Sequence, residues 1–360
     1  MTINFQAPSR QQSWVRRTVT IIGLLASAVA TPLAAEELRT VGSIERLDPA
    51  LDALVPPDSK MEIVIDGLTW CEGPLWVPAD GGFVICSDIP PNTIHRWDAR
   101  SGAAVYLTPS GYTGSTPRGG ESGSNGLALD RQGRLLLCQH GDRRIARMDA
   151  PLAAPEPKFV TLADRYEGKR LNSPNDCVVH SSGAIYFTDP PYGLDHYTDD
   201  PAQQIPGKEL DFQGVYRIAP DGQVTLLTKE LERPNGIALS PDEKTLYVSN
   251  SHAPRPIWMA YPVKDDGSLG ESRVLFDATQ FVAEKRPGMP DGMKIDQDGN
   301  LFAAGPGGIL ILSPDGKHLG TLATGDRTAN CAFGEDGSTL FIAANHNLLK
   351  VRLATKGNGF

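Results

Sequence analysis

Short apolar runs alternate with Gly, Asp, Asn and Pro along most of this chain. Such spacing predicts strands joined by tight turns. Helices would need apolar positions three and four residues apart over longer windows. One unit recurs six times: an oxygen-bearing residue, an apolar stretch, a turn built on Asp or Gly, and a second apolar stretch. The copies begin at Glu72 (EGPLWVPADGGFVICSD), Asn125 (NGLALDRQGRLLLCQH), Asn175 (NDCVVHSSGAIYFTDP), Asn235 (NGIALSPDEKTLYVSN), Asp291 (DGMKIDQDGNLFAAGP) and Asn330 (NCAFGEDGSTLFIAAN). Each predicts a β-hairpin with DG, SG or PDE in the turn. A third strand follows each copy: TIHRWD, RIARMD, GVYRIAPDG, PIWMAYPV, GILILSPDG and LLKVRL.

The copies start 53, 50, 60, 56 and 39 residues apart. Strand-built repeats of roughly 40–50 residues predict a β-propeller. The expected fold is therefore all-β, a six-bladed β-propeller, with no αβ alternation to support a parallel sheet. A closed ring is one domain, so 360 residues need no domain split. The ring must be latched, and the segments 61–65 and 348–353 are the candidates for completing one blade.

Equivalent positions in a ring surround one axis. The six leading residues, Glu72, Asn125, Asn175, Asn235, Asp291 and Asn330, are thus predicted at one mouth of the central channel. All carry a side-chain oxygen and two are carboxylates. Hard cations such as Ca²⁺ take 6–8 oxygen ligands from carboxylates, amides and water. No Cys or His falls at these positions, which disfavours softer metals. Asn and Asp also suit turns and strand ends, so one copy alone would carry no such meaning. Antiparallel return of the second strand predicts an outer ring of Asp88, His140, Asp189, Asn250, His252 and Asn345. Of these, His140 and Asp189 are candidate substrate contacts. Two long loops, 109–124 and 192–211, are expected over the mouth.

Charge narrows the partners. Asp plus Glu number 43 against 34 Lys plus Arg, for a net charge of -9 without a basic stripe. Nucleic-acid binding is disfavoured. The five cysteines are odd in number and lack a CxxC pair, so buried thiols are expected in place of disulfides or a zinc site. At the N-terminus Arg16 and Arg17 precede an apolar run over 19–30, then small residues. That order predicts a signal peptide over 1–35, with Ala28-Val29-Ala30 and Leu33-Ala34-Ala35 as alternative cleavage sites. The run falls short of the roughly 20 residues of a membrane span, which favours an exported, periplasmic or secreted protein over an uncleaved anchor. The twin arginine raises the Tat route, although its flanks match that pattern poorly. The mature domain is read as 36–360, outside any membrane; oligomeric state is open.

The ordered set EGPLW, NSPND, RPNG and PDGMKIDQDGNLF resembles the gluconolactonase/regucalcin/LRE-like family of six-bladed propellers, over nearly the whole mature chain. TDPPYGL, ELDFQGVYRI, SPDEKTLYVSN and TANCAFG are similar to its bacterial gluconolactonase branch. The resemblance implies a central divalent ion, Ca²⁺ foremost, held by Glu72, Asn175, Asn235 and Asp291, with Asp291 also the general base. It leaves Asn125 as a candidate substrate contact. Animal members carry a sugar-binding Arg two places before the NSPND asparagine, where this chain has Ser173. The identity of the sugar is therefore open.

The implied chemistry is hydrolysis of a small-molecule lactone, a cyclic ester. The ion would polarise the carbonyl and activate water, and a carboxylate would take the proton. Mg²⁺, Mn²⁺ or Zn²⁺ could occupy such an oxygen site in place of Ca²⁺. No GxSxG elbow supports a serine esterase. Two alternatives share the scaffold: a hydrolase of phosphotriesters or other lactones, and a ligand-binding propeller whose Ca²⁺ is structural.

Overall fold

Every predicted hairpin forms, and the strand after each pairs on as the third of a four-stranded antiparallel set. The computed structural model describes Met1 and residues 38–198 and 203–360. The expected signal peptide thus lies, beyond Met1, outside the described residues. The six innermost strands are Cys71–Val77, Ser124–Leu129, Cys177–Val179, Pro234–Leu239, Met293–Ile295 and Thr328–Gly334. Their sheets are the six blades of a β-propeller.

The latch lies where the sequence places it. Strand Met61–Ile65 pairs with Asn347–Arg352, with Leu348 opposite Ile65 and Lys350 opposite Glu62. A strand from ahead of the first repeat thereby completes the last blade. A further tie joins two blades. Thr40–Val41 adds to the outer edge of the sixth blade, and Ser43–Arg46 pairs with Gly320–Ala323 in the fifth. Gly42 links these two short strands with φ +70, and a β-carbon there would lie 2.1 Å from the Ala323 carbonyl oxygen. Only glycine fits so close a crossing.

The apolar runs are continuous because both faces of the blades are buried. Six hydrophobic clusters form, one in each seam between neighbouring blades. In the fifth blade, Leu301, Ala303, Leu310 and Leu312 face the seam with the fourth. Their alternates Phe302, Ala304, Ile309 and Ile311 face the seam with the sixth. The period of two along a strand therefore divides each blade between two seams. All five cysteines are free and buried in this packing, as expected.

Ile65 belongs to the latch strand and packs in the seam between the sixth and first blades at 6% exposure. Ile65→Ala should lower the free energy of urea unfolding by about 2–4 kcal/mol. Val105→Ala, at 62% exposure on an outer strand, should stay within about 0.5 kcal/mol of wild type. Equal effects at the two positions would contradict the latch as described.

Candidate functional site

Four of the six leading residues are followed by glycine, and the ring explains the pairing. A β-carbon on Gly236 would fall 2.2 Å from the carbonyl oxygen of Asp291, in the next blade. On Gly126 it would fall 2.7 Å from the carbonyl oxygen of Asn175. The innermost strands approach so closely that no side chain fits between them. Hydrogen bonds cross these gaps: Gly126 N–H donates to the Asn175 carbonyl at 2.7 Å. Hydroxyls on second strands add to them. Ser87 donates to the Asn125 carbonyl at 2.8 Å and Thr188 to the Asn235 carbonyl at 2.6 Å. Each leading residue is therefore fixed by the neighbouring blade as well as its own.

The hub opens into a cavity of about 590 Å³ whose lining includes Glu72, Asn125, Asn175, Asn235 and Asp291. The structure thus brings together all four residues assigned to the metal, with Asn125 beside them. Their polar atoms are set by local bonds. Oε2 of Glu72 accepts from Gly73 N–H at 2.8 Å and from Asn330 Nδ2 at 3.2 Å. Oδ1 of Asp291 accepts from Gly292 N–H at 3.0 Å. Nδ2 of Asn235 donates to Ser251 at 3.3 Å, which turns its Oδ1 away from that hydroxyl. Oδ1 of Asn125 is buried with no hydrogen-bond partner among the described residues.

Asn330, the sixth leading residue, does not line the cavity. Its Nδ2 donates to Glu72 and its Oδ1 accepts from Cys331 N–H at 2.9 Å, so its amide is spent as a buttress.

Electrostatics favours a cation here. Burial raises the Glu72 carboxyl to about 8, against the N–H of Gly73, and Asp176 and Glu121 push it the same way. Burial and the nearby Glu72 raise Asp291 well above the usual carboxylate range. Among the described residues no lysine or arginine pairs with either group. Arg286, also in the wall, is engaged by Glu284 at 2.9 Å and Glu45 at 3.1 Å. No three His, Cys, Asp or Glu side chains cluster as a metal site among the described residues. A metal here would need amide oxygens too, and Asn175 and Asn235 bring them to the same cavity. Two carboxylates with Asn175 and Asn235 fit a hard divalent ion, and the orphaned Asn125 oxygen stands beside them.

The expected outer ring has a different role. Asp88 accepts from Trp70 N–H at 2.9 Å, Asp189 from Asn172 N–H at 2.8 Å and Asn250 from Arg233 N–H at 2.8 Å. Each holds the segment leading into its own inner strand, two or three residues before a hub residue. Asp189 is fully buried outside the cavity wall, and burial lifts its carboxyl to about 7. Register places Gln139 opposite Ser124 in the second blade, so His140 lies one position further on than expected. His140 is also fully buried and does not line the cavity. It stands behind a residue that does: its Nδ1 lies 3.0 Å from Oε2 of Glu121.

Glu121 and Tyr192 are cavity residues that repeat alignment missed, because they come from the two long loops and not from repeat strands. The loop 109–124 is tied down by Asn92, whose Oδ1 accepts from Gly111 N–H at 2.7 Å and whose Nδ2 donates to the Tyr112 carbonyl at 2.8 Å. Arg118 then bridges the loops, donating to the carbonyls of Gly141 and Gly193. Ser173 fastens the second loop: its hydroxyl donates to the Pro190 carbonyl at 2.6 Å and accepts from Gly193 N–H at 2.9 Å. The serine of NSPND was therefore a signal for Tyr192, two residues beyond its Pro190 contact. Asp176 was also overlooked; it is buried, with Oδ2 unpartnered, just behind Asn175.

Similarity to known proteins agrees with this geometry. The SMP-30/Gluconolactonase/LRE-like region matches residues 70–346. A gluconolactonase of Zymomonas mobilis is 42% identical over 324 residues, 88% of this chain and 88% of that protein. The solved structure of a gluconolactonase from Xanthomonas campestris is 33% identical and superposes with a TM-score of 0.74, covering 89% of this chain and 98% of its own. Regucalcin of Gallus gallus is 25% identical over 76% of this chain and 82% of its own length.

Two outcomes follow from the hub. Because the folded-state pKa of Glu72 is raised, the unfolded chain loses its proton first, near the ordinary value of 4.5. Metal-free protein should then lose stability from this group as pH rises from about 4.5 to about 8. Thermal melts in chelator should show the decline, Glu72→Gln should flatten it, and added Ca²⁺ should reverse it most at the alkaline end. A decline unchanged in Glu72→Gln would contradict the assignment. Separately, Gly236→Ala should cost roughly 1–3 kcal/mol in urea unfolding, since it wedges the fourth and fifth inner strands apart; a neutral result would refute the close approach.

Proposed function

The chain belongs to the SMP-30/gluconolactonase/LRE-like family, and on that footing we propose that it is a metal-dependent lactone hydrolase acting on a sugar lactone of the gluconolactone kind. The observation that carries this reading is the convergence of Glu72 and Asp291, from the first and fifth blades, on one cavity with Asn125, Asn175 and Asn235. The gluconolactonase relatives support the reaction class. The arginine-led apolar segment ahead of the ring supports an exported enzyme.

Glu72, Asn175, Asn235 and Asp291 would hold the cation, Ca²⁺ by the hardness of the donor set. When bound, a divalent cation supplies Lewis acidity for the lactone carbonyl and the developing oxyanion. The chain's own groups do the rest. Asn125 offers an unpaired amide oxygen to the bound ligand. Asp291, buried and with one oxygen fixed by Gly292 N–H, is the group placed to take a proton from attacking water. Tyr192 and Glu121 line the cavity on the side of the two long loops. Hydrolysis opens the ring to a hydroxy acid, and the new carboxylate meets a wall already holding three acidic side chains.

Purified protein should hydrolyse glucono-δ-lactone with release of acid in a pH-stat. Chelator should abolish the activity and Ca²⁺ restore it. Asp291→Asn should lower kcat by roughly 10²–10⁴-fold while far-UV circular dichroism stays that of wild type. Full activity in the chelated protein, or in Asp291→Asn, would overturn the proposal.

A further inference from the structure

Glu121 differs from the hub carboxylates in origin and surroundings. It lies on the loop 109–124, whereas Glu72 belongs to an inner strand. Its side chain is 33% exposed, against 2% for Glu72, so it stands at the wetted rim of the cavity and not in the hub. The chain invests heavily in holding it there. His140, fully buried, sets Nδ1 3.0 Å from Oε2 of Glu121. His140 is in turn packed from behind: a β-carbon on Gly193 would fall 2.4 Å from His140 Cβ and 2.8 Å from Ser173 Cβ. Arg118 clamps Gly141 and Gly193 across the same place, and Asn92 anchors the start of the loop. A fully buried histidine, two loops and an arginine clasp thus orient one rim carboxylate.

A carboxylate is an acceptor only, and its two oxygens suit the hydroxyls of a polyol. Oε2 stands 3.0 Å from His140 Nδ1, and the carboxylate lines the cavity. The ester group of a lactone has no O–H or N–H to offer Glu121, so an apolar lactone gains nothing from it. A ring bearing hydroxyls gains a charge-assisted hydrogen bond. We propose that Glu121, oriented by His140, accepts a hydrogen bond from a hydroxyl of the bound lactone and makes the enzyme selective for polyhydroxylated lactones over apolar ones of the same ring size. Glu121 is a specificity-determining residue and His140 its positioning residue. This inference rests on the lactonase reading above and adds to it the group that reads the substrate's hydroxyls.

The test is the ratio of kcat/KM for glucono-δ-lactone to that for δ-valerolactone, which has the same ring without hydroxyls. Wild type, Glu121→Gln, Glu121→Ala, His140→Ala and His140→Asn are measured, with calcium content determined by plasma emission. The ratio should fall roughly 10- to 100-fold in Glu121→Ala and less in Glu121→Gln, with calcium content equal to wild type. His140→Ala should lower the ratio in the same direction. His140→Asn, which keeps a donor near the Nδ1 position, should recover part of it; a purely structural histidine would not show that recovery. An unchanged ratio in both Glu121 variants, or loss of calcium with both substrates falling together, would overturn the inference while leaving the lactonase reading intact. A wild type inactive on both lactones would instead bring down the lactonase reading itself, and this inference with it.

Discussion

Two carboxylates buried in one cavity at the mouth of a closed ring set the terms for this protein. Glu72 comes from the first blade and Asp291 from the fifth; burial raises the affinity of both for a proton, and Glu72 adds to the rise at Asp291. Left alone, such a pair gives up its negative charge. A cation between them reverses the balance, because it meets two acidic oxygens and the amides beside them. The rest of the hub serves that arrangement: glycines bring the inner strands together, hydroxyls lock the neighbouring carbonyls, and Asn330 spends its whole amide holding Glu72 and its own strand.

Such precision needs a frame that does not open. A propeller provides it by distributing the core over six seams, each dependent on its neighbours. Loosening one seam would let two inner strands separate, and with them two hub residues. The latch at Met61–Ile65 and the short strands before it, which tie the fifth and sixth blades, therefore act on the site at a distance. Side chains at the ends of second strands carry the rigidity inward, since Asp88, Asp189 and Asn250 each grip the backbone just ahead of a hub residue.

The fold was legible because period-two apolar runs and turn residues are local signals repeated six times. The residues of the hub cavity were legible for the same reason: Glu72, Asn125, Asn175, Asn235 and Asp291 begin equivalent repeats, and equivalence in sequence became convergence in space. What escaped was whatever the repeats do not encode. Glu121 and Tyr192 arrive on insertions of unequal length, and their direction depends on the Arg118, Asn92 and Ser173 contacts that join distant segments. His140 was misplaced by a single residue, because the hairpin of the second blade is shorter than that of the first and Gln139, opposite Ser124, takes the place that Asp88 holds opposite Cys71. Asn330 looked like its five counterparts, and only its two hydrogen bonds distinguish a buttress from a ligand.

The central claim, a single hard cation held at the hub, is tested most directly by terbium. Tb³⁺ shares the oxygen preference of Ca²⁺, and Trp70 lies in the cavity wall within reach to sensitise it. Excitation of tryptophan should give Tb³⁺ emission that saturates at one ion per chain, is displaced by Ca²⁺, and disappears in the double variant Glu72→Gln, Asp291→Asn. Emission that survives the double variant, or fails to arise in wild type, would contradict a metal-holding hub.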